Sequence, residues 1–327
     1  MSLYTRIRKV YRLLRDREQY FTYKENYENL LKEREEYLVS KQQYLECKQA
    51  YENLQPFNKV VPIGHYESPY PSEAELEAGY NKGFDDKLQG IDLNEQAQLS
   101  LYENLKTYAE ECPMADKEKN ENYRFYDFGD NIWFGRDDAR YLYAILMHFK
   151  PKNVIEIGSG FSTSLMLDTN EILNHSMNLL CIEPRAQRLK SLLRAKDNLK
   201  IIEQDVQNVS LEIFSKLEGG GGDMLFIDSS HLCRPFGDVN RELFEILPSL
   251  KKGVIVHFHD IIYPFEYPKV WTLEQRRAYN EAYILRAFLQ YNKDFEILFW
   301  GSFLCNRSKI KDYGLFGGGS IYLRKKG

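Results

Sequence analysis

Between residues 153 and 260 short apolar runs alternate with amphipathic stretches, and a carboxylate stands at or near the end of each run. The runs are NVIEIG, LLCIEP, LKIIEQD, MLFIDSS and GVIVHFHD; the intervening SGFSTSLMLDT, AQRLKSLLRAK and DVNRELFEILPSL carry helical patterning. This rhythm predicts a doubly wound α/β domain with a mostly parallel sheet, whose ligands lie at the carboxyl ends of the strands. Further on, FEILFWG and SIYLRK are expected to pair as an antiparallel hairpin with Gly317, Gly318 and Gly319 in the connection. A helix is expected from about Arg136 to Phe149, and residues 219–222 read as a flexible turn into a strand.

The 327 residues are comfortable for one such domain of about 200 residues plus an appendage. Residues 1–54 hold no Gly or Pro and read as a helical arm. Leu30, Tyr37, Tyr44 and Tyr51 recur every seven residues, which suggests a coiled coil or helical hairpin and a homo-oligomer built through it, with a helix docked on its own domain as the alternative. The first seventeen residues carry six basic side chains and one acid, so the arm could also touch an anionic membrane surface at its inner face. Residues 55–122 are expected to be a linker and helical cap region, with Asp92 or Asn94 capping a helix after a loop, and residues 123–327 the α/β domain. A net charge of −4 argues against a nucleic-acid partner, since phosphate contacts need clustered Lys and Arg. Five scattered cysteines without a CxxC pair, and no long apolar segment, fit a cytoplasmic protein.

The richest stretch is Glu156-Ile-Gly158-Ser159-Gly160-Phe-Ser162-Thr163, at the end of the first expected strand. Glycines there let the backbone approach a ligand, and the next helix offers free N–H groups. Thr163 stands where a dinucleotide fingerprint wants its third glycine, which disfavours NAD. Downstream, Glu183 ends the second strand, where it could accept from both hydroxyls of a ribose. Asp205 follows the third strand and Asp228 ends the fourth, facing the mouth of the sheet.

The words VIEIGSGFST, CIEP, EQDV and FIDSSH together resemble the class I S-adenosylmethionine-dependent methyltransferases, a seven-stranded Rossmann-like fold with an antiparallel last strand. The resemblance covers about Phe125 to Arg324. It implies S-adenosylmethionine as cofactor, with Glu156, Gly158, Ser159, Gly160 and Ser162 at its methionine part, Glu183 at the ribose, Asp205 at the adenine and Asp228 at the mouth of the site. GIDLN, FGRDDARYLYAILMHFKPKNVIEIGSGFST and GVIVHFHDIIYPFEYP are similar to a bacterial methyltransferase subfamily associated with surface-glycan and polysaccharide synthesis. That narrower likeness implies an O-methyltransferase acting on a sugar. The rivals are a scaffold that keeps the fold within a biosynthetic complex and a hydroxylase-like member of the same fold.

A sugar hydroxyl is a very weak acid, so methylating it needs a positioned base or a metal that lowers its pKa. Asp228-Ser-Ser-His231 and His257-Phe-His259-Asp260 end neighbouring strands and bring His231, His259 and Asp260 forward as the catalytic candidates. His257, deeper in its strand, reads as a core residue. Asp228, His259 and Asp260 could instead share one divalent ion, although a histidine among them disfavours Mg²⁺. Tyr263, Glu266 and Tyr267 form an aromatic loop that suits a sugar acceptor, and Arg136, Asp137 and Asp138 stand ready to cap a helix or close over the cofactor.

Overall fold

A computed structural model describes residues 64–114, 122–127, 131–197, 199–307, 309–310 and 317–327; the expected helical arm lies outside them. The contacts divide the chain into two units, one comprising Met1–Phe84 with Pro268–Ala278 and the other Asp85–Tyr267 with Tyr279–Gly327.

In the first unit a helix, α1 (Glu73–Lys82), stands where the sequence suggested a loop. Ser72 explains it: its hydroxyl accepts from the Glu75 N–H while the Glu75 carboxylate accepts from the Ser72 N–H, a reciprocal cap that starts a helix with no buried side chain of its own. Tyr70 and Tyr80 both reach Thr272, the first donating to its carbonyl at 2.6 Å and the second sharing a hydroxyl contact at 2.6 Å.

The second unit is built on seven strands: β1 (Asn153–Ile157), β2 (Asn178–Ile182), β3 (Lys200–Ile202), β4 (Met224–Ile227), β5 (Ile255–Phe258), β6 (Phe295–Trp300) and β7 (Ile321–Lys325). Their order is β3-β2-β1-β4-β5-β7-β6. The first five are parallel, and β7 runs antiparallel between β5 and β6. β4 and β5 are buried at every residue, as expected for central strands covered on both faces, and so read as unbroken apolar runs. The expected hairpin of β6 and β7 is present, with a short helix (Gly301–Asn306) in its connection.

Helices α2 (Glu95–Glu110), α3 (Arg136–Phe149), α4 (Phe161–Ile172) and α5 (Gln187–Leu192) pack in this unit, with α8 (Glu281–Leu289) following the excursion into the first. Between β4 and β5, α6 (Asp238–Arg241) runs through a π turn at Glu242–Ile246 into α7 (Leu247–Ser249). Asn94 takes the cap position of α2 in a left-handed conformation (φ 51°), but its side chain donates to the Ile297 carbonyl instead of capping the helix. Gly219 is fixed by close approach, since a Cβ there would fall 1.6 Å from the Lys252 carbonyl oxygen.

Candidate active site

The turn after β1 presses against the end of β4. Gly158 has φ +77°, and a Cβ on it would lie 1.8 Å from the Asp228 carbonyl oxygen, so any other residue would push the two strand ends apart. Its N–H donates to Ile182 of β2 at 3.0 Å, which draws a third strand end to the same point. Glu183, the residue after β2, accepts from the Ser159 N–H at 3.0 Å and from its near neighbour Arg185 N–H at 2.7 Å. Each carboxylate oxygen keeps a further lone pair for a ligand hydroxyl.

Above this junction lies a cavity of about 100 Å³, lined by Trp133, Phe134, Phe161 and Ser162, by the Gly158–Ser159–Gly160 backbone, and by Glu183, Arg188 and Asp228. Two carboxylates, exposed turn backbone and three aromatic rings suit a ligand with hydroxyls, a cationic centre and a flat base. Trp133 and Arg188 did not stand out in the sequence. The Arg188 guanidinium lies 4.6 Å from the Trp133 ring centre, a cation–π pair at the rim that joins residues 55 apart and has no local sequence signal.

Two expected cofactor residues sit elsewhere. Glu156 is fully buried beneath the turn, where it accepts hydroxyl hydrogen bonds from Ser162 (2.7 Å) and Thr163. Burial pushes its carboxyl up to about 7 against the pull of those hydroxyls. It braces the first turn of α4 and does not line the cavity, whereas Ser162 lines it but commits its hydroxyl to Glu156. Asp205 is exposed, precedes a 3₁₀ turn and is outside the cavity lining.

Beside the cavity, β4 and β5 bring together the second cluster. Asp228 Oδ1 is 3.3 Å from His231 Nε2 and 3.3 Å from His259 Nδ1. Asp260 adds its two oxygens at 3.5 Å from the same two nitrogens. Burial would drive both imidazoles down, but the carboxylates outweigh it. Asp228 and Glu281 hold His231, and Asp228 and Asp260 hold His259, well above the ordinary histidine range. Burial in turn would raise Asp228, and the imidazoliums of His259 and His231 keep it far below the usual carboxylate range. Asp260 is pushed up by burial despite the same two rings.

Among the described residues no group of three or more His, Cys, Asp or Glu side chains is placed to hold a metal ion; Asp228 and Asp260, two of the three residues of the alternative metal set, lie 3.3 and 3.5 Å from Nδ1 of the third, His259.

Asp138, from α3, completes the cluster. Its Oδ2 is 3.6 Å from His259 Nε2, and its Oδ1 accepts from the Ser320 hydroxyl at 2.6 Å and from the Gly319 N–H at 2.9 Å. Burial would lift its carboxyl, yet His259 and Ser320 hold it below the ordinary value. His257 is core: it stacks 3.7 Å from Phe226, meets the Ser320 hydroxyl at 2.8 Å, and is pushed down to about 3 by burial.

The aromatic loop does not face an acceptor through its tyrosines. Tyr263 packs between Trp300 and Phe303, and its hydroxyl donates to the Asp86 carbonyl at 3.0 Å. Tyr267 is 3% exposed and its hydroxyl accepts from the Ala282 N–H at 3.0 Å. The apolar surface of these rings is worth more buried than facing water, which draws the loop inward. Glu266 is half-buried and accepts from the Tyr283 hydroxyl at 3.0 Å.

Residues 155–261 match the family model described as a methyltransferase domain. An uncharacterised protein of Archaeoglobus fulgidus is 31% identical over 166 residues, covering 49% of this chain and 75% of that protein. Among solved structures, a methyltransferase from Thermobifida fusca, described as putative, is 15% identical with a TM-score of 0.41, over 58% of this chain and 79% of its own. An SAH-bound methyltransferase of Podospora anserina is 15% identical with a TM-score of 0.40, over 82% of this chain and 99% of its own. Residues 155–261, which hold the glycine turn and the acid after β2, thus form a methyltransferase domain.

Proposed function

We propose that this protein transfers a methyl group from S-adenosylmethionine to a hydroxyl oxygen, and that the acceptor is a sugar of a glycan or polysaccharide precursor. The observation that carries the cofactor assignment is Glu183, whose carboxylate is held against the Ser159 N–H in the wall of the cavity. Glu183 would take the ribose hydroxyls, the Gly158–Ser159–Gly160 backbone would take the amino-acid end, and the aromatic walls would suit the sulfonium and the base. Bound there, the cofactor supplies an activated methyl group with its leaving group already in place.

The protein must then orient the acceptor and remove its proton. As the acceptor oxygen gains the methyl, its O–H bond breaks and the proton passes to a neutral imidazole nitrogen of His231 or His259. Asp228 lines the cavity and lies 3.3 Å from both rings, which themselves stand behind its lining. The sugar acceptor rests on the likeness of GIDLN and GVIVHFHDIIYPFEYP to glycan-associated methyltransferases, with Glu266 as the polar group of the adjoining loop.

The seven-residue stripe in residues 1–54 supports self-association of the full chain, and the basic start of the arm supports contact with an anionic membrane surface. No helix among the described residues is long and apolar enough to cross a membrane. Calorimetry with S-adenosylhomocysteine tests the cofactor reading, and a gain of about 14 Da on a sugar acceptor tests the reaction. No binding by the intact chain would remove the proposal.

A further inference from the structure

Glu281 opens α8, fifty positions along the chain from His231, and is 1% exposed. Its Oε2 lies 2.8 Å from His231 Nδ1, while its buried Oε1 has no hydrogen-bond partner. The backbone around the pair is stitched together as well. The N–H groups of Asn280 and Glu281 donate to the His231 carbonyl at 3.1 and 3.2 Å. The Asn280 side chain accepts from the Cys233 N–H at 2.6 Å and donates to the Cys233 carbonyl at 3.3 Å. His231 itself is held in the left-handed region at φ +57°, and Tyr279 lies 4.8 Å from its ring.

Burying a carboxylate is costly unless it is paired, and the pairing of Glu281 is with one imidazole nitrogen. An acceptor on Nδ1 fixes the proton there and leaves Nε2 as the exchanging nitrogen, the logic by which a buried acid orients a catalytic histidine. Here Nε2 is turned toward Asp228 at 3.3 Å and Asp260 at 3.5 Å. We propose that Glu281 is the positioning residue of His231, holding its ring and its Nδ1 proton so that Nε2 faces the reaction cavity through Asp228. The inference rests on the reading of His231 as a base.

The groups facing His231 are Asp228 from the end of β4, Asp260 from the end of β5 and Glu281 from α8, with Glu242 of the π turn acting through space. Removing the Glu281 carboxylate should therefore release the Nδ1 proton to exchange. The test is nitrogen NMR of the full chain labelled at histidine, with the His231 signal assigned by His231→Gln. In the wild type the ring is expected to carry a slowly exchanging Nδ1 proton. In Glu281→Gln that proton should exchange at least about tenfold faster. Glu281→Asp, which keeps the carboxylate, should restore part of the protection. S-adenosylhomocysteine affinity should stay within about twofold in Glu281→Gln, because Glu281 does not line the cavity.

Unchanged exchange of the His231 Nδ1 proton in Glu281→Gln overturns the proposal. So does absence of the protected Nδ1 proton in the wild type, a measurement that needs no variant to fold. Failure of the wild type to bind S-adenosylhomocysteine instead removes the methyltransferase reading, while the NMR result still decides the pairing.

Discussion

Arg124 provides the sharpest stability test. Its side chain is 2% exposed and meets three acids: Asp168 at 2.7 Å, Glu171 at 2.7 Å and Asp197. Asp168 is fully buried on α4, and its second oxygen accepts from the Arg124 and Phe125 N–H groups at 2.7 and 2.8 Å. Arg124→Met keeps the bulk of the stem but leaves Asp168 without a cation. Breaking a buried pair this way costs about 3–5 kcal/mol. Glu171 and Asp197 add little, because Glu171 keeps Lys196 at 3.2 Å and Asp197 keeps the Arg194 N–H at 2.8 Å. Burial already pushes the Asp168 carboxyl up against the pull of its hydrogen bonds, so in the variant it will take a proton at moderately acid pH. The deficit should then be smaller at pH 5 than at pH 8, since the folded variant binds a proton that the unfolded chain has lost. Urea unfolding at the two pH values measures this, and adding Asp168→Asn should recover part of the loss. A deficit below about 1 kcal/mol at pH 8, or one independent of pH, would refute the reasoning.

Glu183→Ala should weaken S-adenosylhomocysteine binding more than tenfold by calorimetry, since each lost charge-assisted hydrogen bond is worth roughly 1.5–3 kcal/mol; unchanged affinity removes Glu183 from the ribose. With His231 and His259 both raised, methyl transfer should increase with pH through an apparent pKa above the ordinary 6.5, because only the neutral ring accepts a proton; a midpoint at or below 6.5 contradicts the ion-paired cluster. Glu156 titrates near 7 folded against 4.5 in a free side chain, so the folded state holds a proton the unfolded state has released. Its contribution to stability should fall as pH rises from about 4.5 to 7, by up to about 1.4 kcal/mol per unit, and Glu156→Gln should flatten that slope in thermal scans. Chelator treatment should leave turnover unchanged, and a loss restored by a divalent ion would return Asp228, His259 and Asp260 to a metal role.

Local patterning reveals the five parallel strands and α3, because central strands announce themselves as apolar runs and α3 carries an apolar stripe. Glu183 and Asp228 are equally legible, since a carboxylate at a parallel strand's end can face the ligand crevice. What the pattern hides is direction. Glu156 lies inside β1 opposite Phe226, two positions short of the level of Asp228, so it ends under the turn at Ser162 while Asp228 reaches the cavity. Asp138, Glu281 and the Trp133–Arg188 pair each depend on partners 50 or more residues away, beyond any window of sequence. The helix at Glu73–Lys82 was masked by its polar composition and is recovered through the Ser72–Glu75 cap, which is visible in the sequence as S-x-x-E.

The place of β7 affects the timing of assembly. It is the last of the seven strands to be synthesised but lies between β5 and β6, and residues 318–320 wrap the Asp138 carboxylate made some 180 residues earlier. During translation β5 must wait with an unpaired edge until that segment emerges from the ribosome, and Asp138 beside His259 waits with it for the Gly319 and Ser320 groups that anchor its carboxylate. A nascent chain halted before residue 318 would hold its glycine turn and Glu183 in sequence but would lack the Asp138 anchor, so the proton-handling half of the site should mature last.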